Sequence, residues 1–145
     1  MKLSVVIPAH NEEGCIETTV RQLHLALEAV AINHEILIIN DGSSDLTGLI
    51  LQKLEREIPA VRYLNNSPPH GFGLAVRLGL ENFTGEAVAI YMADASDRPE
   101  DLITFYRTMQ RTGVDCVFGS RFVRGGKTVD YPRLKLLLNR CANGF

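Results

Sequence analysis

Short apolar runs alternate with longer stretches of helical period along the whole chain. Residues 3–7, 35–39, 61–64, 87–92 and 114–118 are apolar, β-rich and of strand length, which predicts five strands. Residues 13–29 place Ile16, Val20, Leu23 and Leu27 at helical spacing, and residues 46–58 group Leu46, Leu49, Ile50 and Leu54 on one face before Pro59 stops the helix. Further helices are predicted over 73–83, over 98–112 with Pro99 in the first turn, and over 133–142 after the glycine-rich Arg124-Gly125-Gly126. Near-continuous apolar strands separated by helices imply an α/β fold, a mostly parallel central sheet with helices on both faces. Such sheets bind ligands at the carboxyl ends of their strands, so the strand-end loops are where chemistry is expected.

The length of 145 residues suits one domain spanning 1–145, and 46% hydrophobic residues are enough to build its core. The three cysteines, Cys15, Cys116 and Cys141, are far apart and include no CxxC, so a disulfide framework or a zinc site is not indicated. Reduced thiols in a reducing compartment are the expectation. The opening residues stop at Pro8, too soon for a secretory signal, and no apolar run approaches the length of a membrane span. The net charge of −2 conceals an asymmetry: residues 1–104 carry 7 basic and 15 acidic side chains, residues 105–145 carry 8 and 2. The basic end suits phosphates or an anionic membrane surface, or is an ordinary solvated helix face.

Each strand-end loop holds a candidate. The first is Pro8-Ala9-His10-Asn11-Glu12-Glu13, where Asn11 suits a helix cap and the glutamates suit the helix's positive end. The second is Asn40-Asp41-Gly42-Ser43-Ser44-Asp45. Asp45 or Ser44 is enough to cap the following helix, which leaves Asp41 either to bind a ribose or base or to stabilise the turn. The third contains Gly71 and Gly73, which let backbone N–H groups approach an anion; no GxGxxG is present, so a dinucleotide fingerprint is absent. The fourth, residues 92–101, packs four carboxylates into a short loop. Asp97 with Glu100 fits a capping box, whereas Asp94 has no such task. A carboxylate beside a diphosphate repels it unless a divalent cation lies between, so Asp94 points to Mg²⁺ or Mn²⁺. The fifth carries Arg121, a residue type that pairs with phosphate in a two-pronged geometry.

Taken together, the five loops resemble those of the family 2 glycosyltransferases with the GT-A (nucleotide-diphospho-sugar transferase) fold, and within them the polyprenyl-phosphate branch. Pro8, Ala9, Asn11 and Glu12 match a Pro-Ala-x-Asn-Glu signature; Asp41, Gly42, Ser43, Asp45 and Thr47 match Asp-Gly-Ser-x-Asp-x-Thr; Gly71, Gly73 and Ala75 match Gly-x-Gly-x-Ala. Gly119 to Gly126 match the stretch most specific to the lipid-phosphate branch. The resemblance implies an inverting transfer of a hexose from a GDP- or UDP-linked donor to a polyprenyl (dolichyl or undecaprenyl) phosphate. In that reading Pro8, Ala9, Asn11, Glu12, Asp41 and Gly73 hold the nucleotide, Asp94 and Asp97 hold a divalent metal, Asp94 and Arg121 serve the reaction, and Arg121 and Arg133 meet the acceptor phosphate. Relatives usually show Asp-Ala-Asp after the fourth strand; here Asp94 and Asp97 stand three apart. The family's catalytic domain extends past the fifth strand, so the chain reads as incomplete at its C-terminus. The expected location is the cytoplasmic face of a membrane, in cell-envelope glycan synthesis, with no nucleic-acid partner. The alternatives are a nucleotide-sugar-binding fragment without activity and a family 2 transferase acting on a saccharide.

Overall fold

The computed structural model describes residues 1–119. The elements run β1 (Leu3–Ala9), α1 (Ile16–Ala29), β2 (His34–Asn40), α2 (Thr47–Glu57), β3 (Val61–Asn65), α3 (Phe72–Asn82), β4 (Ala87–Ile90) and α4 (Pro99–Thr112). The strands form one parallel sheet in the order β3-β2-β1-β4. The chain steps from β1 outward to β3, then crosses back over β2 and β1 to add β4 on the other side. The direction of winding therefore reverses between β1 and β4, the switch point at which sheets of this kind open a crevice.

All seven residues of β1 and of β2 are buried, as befits central strands covered on both faces. Alternation splits them between two cores. Leu3, Val5 and Ile7, with Ile36 and Ile38, pack on Ile16, Val20, Leu23 and Leu27 of α1, Leu51 and Leu54 of α2, and Leu102, Ile103 and Tyr106 of α4. Val6, Leu37 and Ile39 face the other way, onto Ala75 of α3 with Leu64, Leu78 and Val88. Each fully buried aliphatic contributes about 1.5–3 kcal/mol.

α3 lies close on the sheet: a Cβ at Gly79 would stand 2.3 Å from Val6 Cγ1. Val6 is β-branched and fully buried, so it has no free rotamer to yield. Gly79→Ala is therefore expected to cost about 1–3 kcal/mol by overpacking, read as a lower urea midpoint at unchanged slope.

Three expectations need correction. On α2, Leu46 and Leu49 are 57% and 63% exposed, while Thr47, Leu51 and Leu54 are buried. Leu49, Ile50, Leu51 and Leu54 crowd this helix after Leu46 at its N-cap, and the stripe that the sheet selects is 47, 51, 54. Residues 114–118 form no strand; Val114 and Phe118 are exposed and no ladder holds this backbone among the described residues. An apolar run becomes a strand only where a sheet edge pairs it. Lastly, Asn11 does not cap α1, whose N-cap is Cys15. The amide of Asn11 is committed elsewhere, as described below. The helix expected over 133–142 lies outside the described residues.

Candidate functional site

The parallel registers bring the strand ends level: Ala9 faces Asn40, Asn40 faces Asn65, and β4 joins with Ile90 opposite Val6. Above this row, at the switch point, opens a cleft of about 140 Å³ lined by Pro8, Ala9, His10, Glu12, Asp41, Phe72, Met92 and Ala93. Four of the residues expected to hold a nucleotide, Pro8, Ala9, Glu12 and Asp41, thus meet around one cleft.

The first two loops are stitched together. Asn11 adopts φ +56°, its backbone N–H donates to Ser43 Oγ at 3.0 Å, and its side-chain oxygen accepts the Ser44 N–H at 2.8 Å. Glu12 N–H donates to Thr47 Oγ1 at 2.9 Å. Glu13 N–H donates to Asp45 Oδ2 at 3.1 Å, and the Glu13 carboxylate accepts Leu46 N–H at 2.8 Å. The N-cap of α2 is Leu46, not Asp45 or Ser44, but Asp45 stands just before it and accepts the Thr47 N–H at 3.0 Å, satisfying a donor of the first turn. The side chains of Asn11, Glu13 and Asp45 are therefore occupied in setting backbone shape. What reaches the cleft from the first loop is Pro8, Ala9, His10 and Glu12.

Asp41 is the hub of the third loop. It is 5% exposed, and its carboxylate accepts Asn66 Nδ2 at 2.7 Å, Gly71 N–H at 2.8 Å and His70 Nδ1 at 3.3 Å. Burial raises its pKa, but the hydrogen bonds from Asn66, Gly71 and His70 outweigh that and hold the carboxyl below its ordinary value. Its carbonyl accepts His10 Nδ1 at 2.7 Å, which fixes the His10 ring at the cleft edge. A carboxylate has about four acceptor sites, so three donors leave about one for a ligand. Both readings of Asp41 thus survive: it shapes the turn, and it retains room to accept a donor from a nucleotide.

Gly71 caps α3 at φ +149°, ψ 149°, a region open essentially to glycine alone. This lets the chain turn from the Asp41 anchor directly into the helix. Gly73 is exposed in the first turn of α3, and a Cβ there would meet nothing within 4 Å. Gly73 is not among the residues lining the cleft, so the structure leaves its place free of any packing demand.

The acidic loop follows β4. Ala93 is held from below by α1, where the buried Thr19 hydroxyl donates to its carbonyl at 3.0 Å. Asp94 accepts the Ser96 N–H at 3.0 Å across a turn in which Ala95 takes φ +59°. Asp97 is not the N-cap of α4; that place belongs to Arg98, without a side-chain cap. The Asp97 carboxylate turns back to accept the Met92 N–H at 2.9 Å, and its carbonyl accepts the Tyr91 hydroxyl at 2.8 Å. A capping box needs the N-cap side chain to reach forward, and the tight return of the chain after β4 makes the backward bond available instead. Burial, followed by the charges of Asp97, Glu100 and Asp101, pushes the Tyr91 phenol up to about 12, so it remains a donor.

No group of three or more His, Cys, Asp or Glu side chains is placed to hold a metal among the described residues. A protein-only cage is therefore not formed here. A Mg²⁺ or Mn²⁺ ion held with a diphosphate requires only one or two carboxylates. Asp94 is exposed and lies one residue beyond the cleft-lining Ala93, and like Asp97 its carboxylate also accepts a backbone N–H of the loop. Arg121 and Arg133 lie outside the described residues. His24 and His34 pair with each other at 3.0 Å, and His34 opens β2 at the end of the sheet away from the cleft.

His10, Phe72, Met92 and Ala93 were not singled out as site residues from the sequence. The signal was present for two of them: His10 fills the variable place of Pro-Ala-x-Asn-Glu, and Phe72 stands between two glycines.

Comparison with known proteins bears on the family and the fold. The chain is 30% identical over 142 residues to a dolichol-phosphate mannosyltransferase of Pyrococcus furiosus, covering 98% of this chain and 39% of that protein. It is 32% identical over 145 residues to a polyprenol monophosphomannose synthase of Mycolicibacterium smegmatis, covering 97% and 53%. Among solved structures, the mannosyltransferase PcManGT of Pyrobaculum calidifontis in complex with GDP-Man and Mn²⁺ superposes at TM-score 0.65 with 22% identity over 74% of this chain and 32% of that one. Staphylococcus aureus TarS 1–349 in complex with UDP-GlcNAc superposes at 0.62 with 22% identity over 86% and 39%. Both share the fold, and the chain spans about half the length or less of these relatives. No helix among the described residues is long and apolar enough to cross a membrane. The family model described as "Glycosyl transferase family 2" matches residues 4–143, and the chain belongs to that family.

Proposed function

We propose that this chain binds the donor in an inverting hexosyltransferase that moves a sugar from a GDP- or UDP-linked donor to a polyprenyl phosphate. The observation that carries the reading is the cleft at the switch point, where Pro8, Ala9, Glu12 and Asp41 converge beside the acidic loop. The names of the mannosyltransferase and mannose synthase relatives support the lipid-phosphate acceptor.

In this reading the base and ribose enter the cleft toward Asp41, and the diphosphate extends toward Asp94. A divalent cation, when bound, neutralises charge on the leaving diphosphate. Asp94 supplies its protein carboxylate. An acceptor phosphate is already ionised near neutral pH, so it needs no strong general base, only placement and charge stabilisation. Arg121 and Arg133 are assigned to that acceptor phosphate, and the basic segment beyond residue 104 to an anionic membrane surface.

The test is calorimetric titration of GDP-mannose and UDP-sugars with and without Mn²⁺, on the wild type and on Asp94→Ala. The wild type is expected to bind more tightly with Mn²⁺, and Asp94→Ala to lose about tenfold or more of that gain while binding the nucleotide alone as before. An unchanged metal response would remove Asp94 from the metal site. Transfer of labelled sugar to a short polyprenyl phosphate by the full-length protein then tests the reaction. Binding without transfer favours a nucleotide-holding module.

A further inference from the structure

We infer that Phe72 is the stacking wall for the nucleobase, a specificity-determining residue held in place by the carboxylate of Asp41. The inference rests on the nucleotide reading above.

Phe72 is a large apolar side chain that is 56% exposed, and of the exposed apolar residues of α3, Leu74 and Leu80 included, it is the one that lines the cleft. It belongs to neither core cluster, yet it lines the cleft together with the imidazole of His10. The backbone beneath it is tightly defined. Gly71 N–H is bound by Asp41 Oδ2 at 2.8 Å, and the Gly71 carbonyl accepts the N–H groups of Leu74 and Ala75 at 3.0 Å each. The residue between these anchors is Phe72. The same carboxylate that forms part of the cleft thus fixes the origin of the aromatic side chain at its mouth.

An exposed phenyl ring on a fixed backbone at a cleft loses little entropy when a flat apolar partner covers it. The flat part of a nucleotide sugar is its base; the ribose, diphosphate and hexose are bulky or charged. Stacking tolerates any base, with a larger ring gaining more, so affinity falls from purine to pyrimidine while both are accepted. Hydrogen bonding at Asp41 and stacking at Phe72 are separate contributions, one polar and one apolar, to holding a single base.

The experiment uses the full-length protein and calorimetric titration with GDP, UDP and base-free ribose 5-diphosphate. Phe72→Ala is expected to weaken GDP and UDP about 10- to 100-fold, GDP the more, and to leave ribose 5-diphosphate unchanged. Phe72→Tyr, which keeps the ring, is expected to restore both nucleotides. Equal weakening of all three ligands would show a structural role, and no change in any would show that the ring is outside the site; either overturns the inference. A wild type that binds ribose 5-diphosphate as well as it binds GDP overturns base recognition at Phe72 but leaves the donor reading standing. A wild type that binds none of the three overturns the donor reading itself, and this inference with it.

Discussion

Asp41→Ala is expected to lower stability by about 3 kcal/mol and to abolish measurable nucleotide binding. The carboxylate accepts from Asn66, Gly71 and His70 while almost fully buried. Removing it strands the Asn66 amide and the Gly71 N–H, each a donor whose desolvation then goes uncompensated at about 1–3 kcal/mol. It also releases the residue that positions Phe72 and the start of α3. Asp41→Asn is the informative comparison: it preserves size and one acceptor oxygen but presents an NH₂ group to donors. Urea unfolding of wild type, Asp41→Ala and Asp41→Asn, with GDP titration of each, checks the prediction. If Asp41→Ala binds nucleotide like the wild type, Asp41 shapes only its turn and has no part in the site.

Glu35→Gln is expected to be less stable than the wild type by about 3 kcal/mol at pH 7 and by about 1.4 kcal/mol at pH 3. Glu35 sits at the opposite end of the sheet, 6% exposed. Its carboxylate accepts Ser4 Oγ and Thr84 N–H at 2.5 Å each and faces Arg62 Nε at 3.3 Å and Lys2 Nζ at 3.7 Å. The Ser4 hydroxyl in turn accepts Gly85 N–H at 2.8 Å. Burial raises the pKa, but the bonds from Ser4 and Thr84 and the charge of Lys2 prevail and bring it from 4.5 to about 2. Because the folded pKa is depressed, the stabilisation is fully present above pH 4.5 and is lost as pH falls toward about 2. About three-fifths of it is gone by pH 3, and the rest is lost only as Glu35 itself protonates in the folded protein, near and below pH 2. Urea midpoints at both pH values read the gap. A gap that stays constant between pH 7 and pH 3 would show that the ionised form of Glu35 is not what stabilises the fold.

Much of the architecture was legible in the one-dimensional pattern. The near-continuous apolar runs at β1 and β2 require burial on both faces, and only a parallel sheet between helix layers supplies it. The period of α1 placed Ile16, Val20, Leu23 and Leu27 on the buried side, and all four are fully buried. Where apolar residues exceed what one stripe can hold, the period ceases to decide. The pattern put Leu46 and Leu49 on the inner face, and the sheet chose Leu51 instead.

The strand-end loops divide in the same way. That Pro8, Ala9, Glu12 and Asp41 gather at one cleft follows from their places at strand ends, which such sheets bring to one rim. The role of each polar group does not, because hydrogen-bond partners 25 to 35 residues away are set by strand order. Asn11 and Asp97 each had an ordinary local use as a helix cap, and in both the long-range or backward bond prevailed. The sequence by itself determined the layers, the family and the rim at which the cleft opens, since these depend on periodicity and on residue type at strand ends. Only the tertiary structure decided that Asp41 anchors the loop before α3, that Asp97 closes the acidic turn, and that Phe72 stands at the cleft. Those outcomes depend on which strands lie side by side, a property that no local window of residues contains.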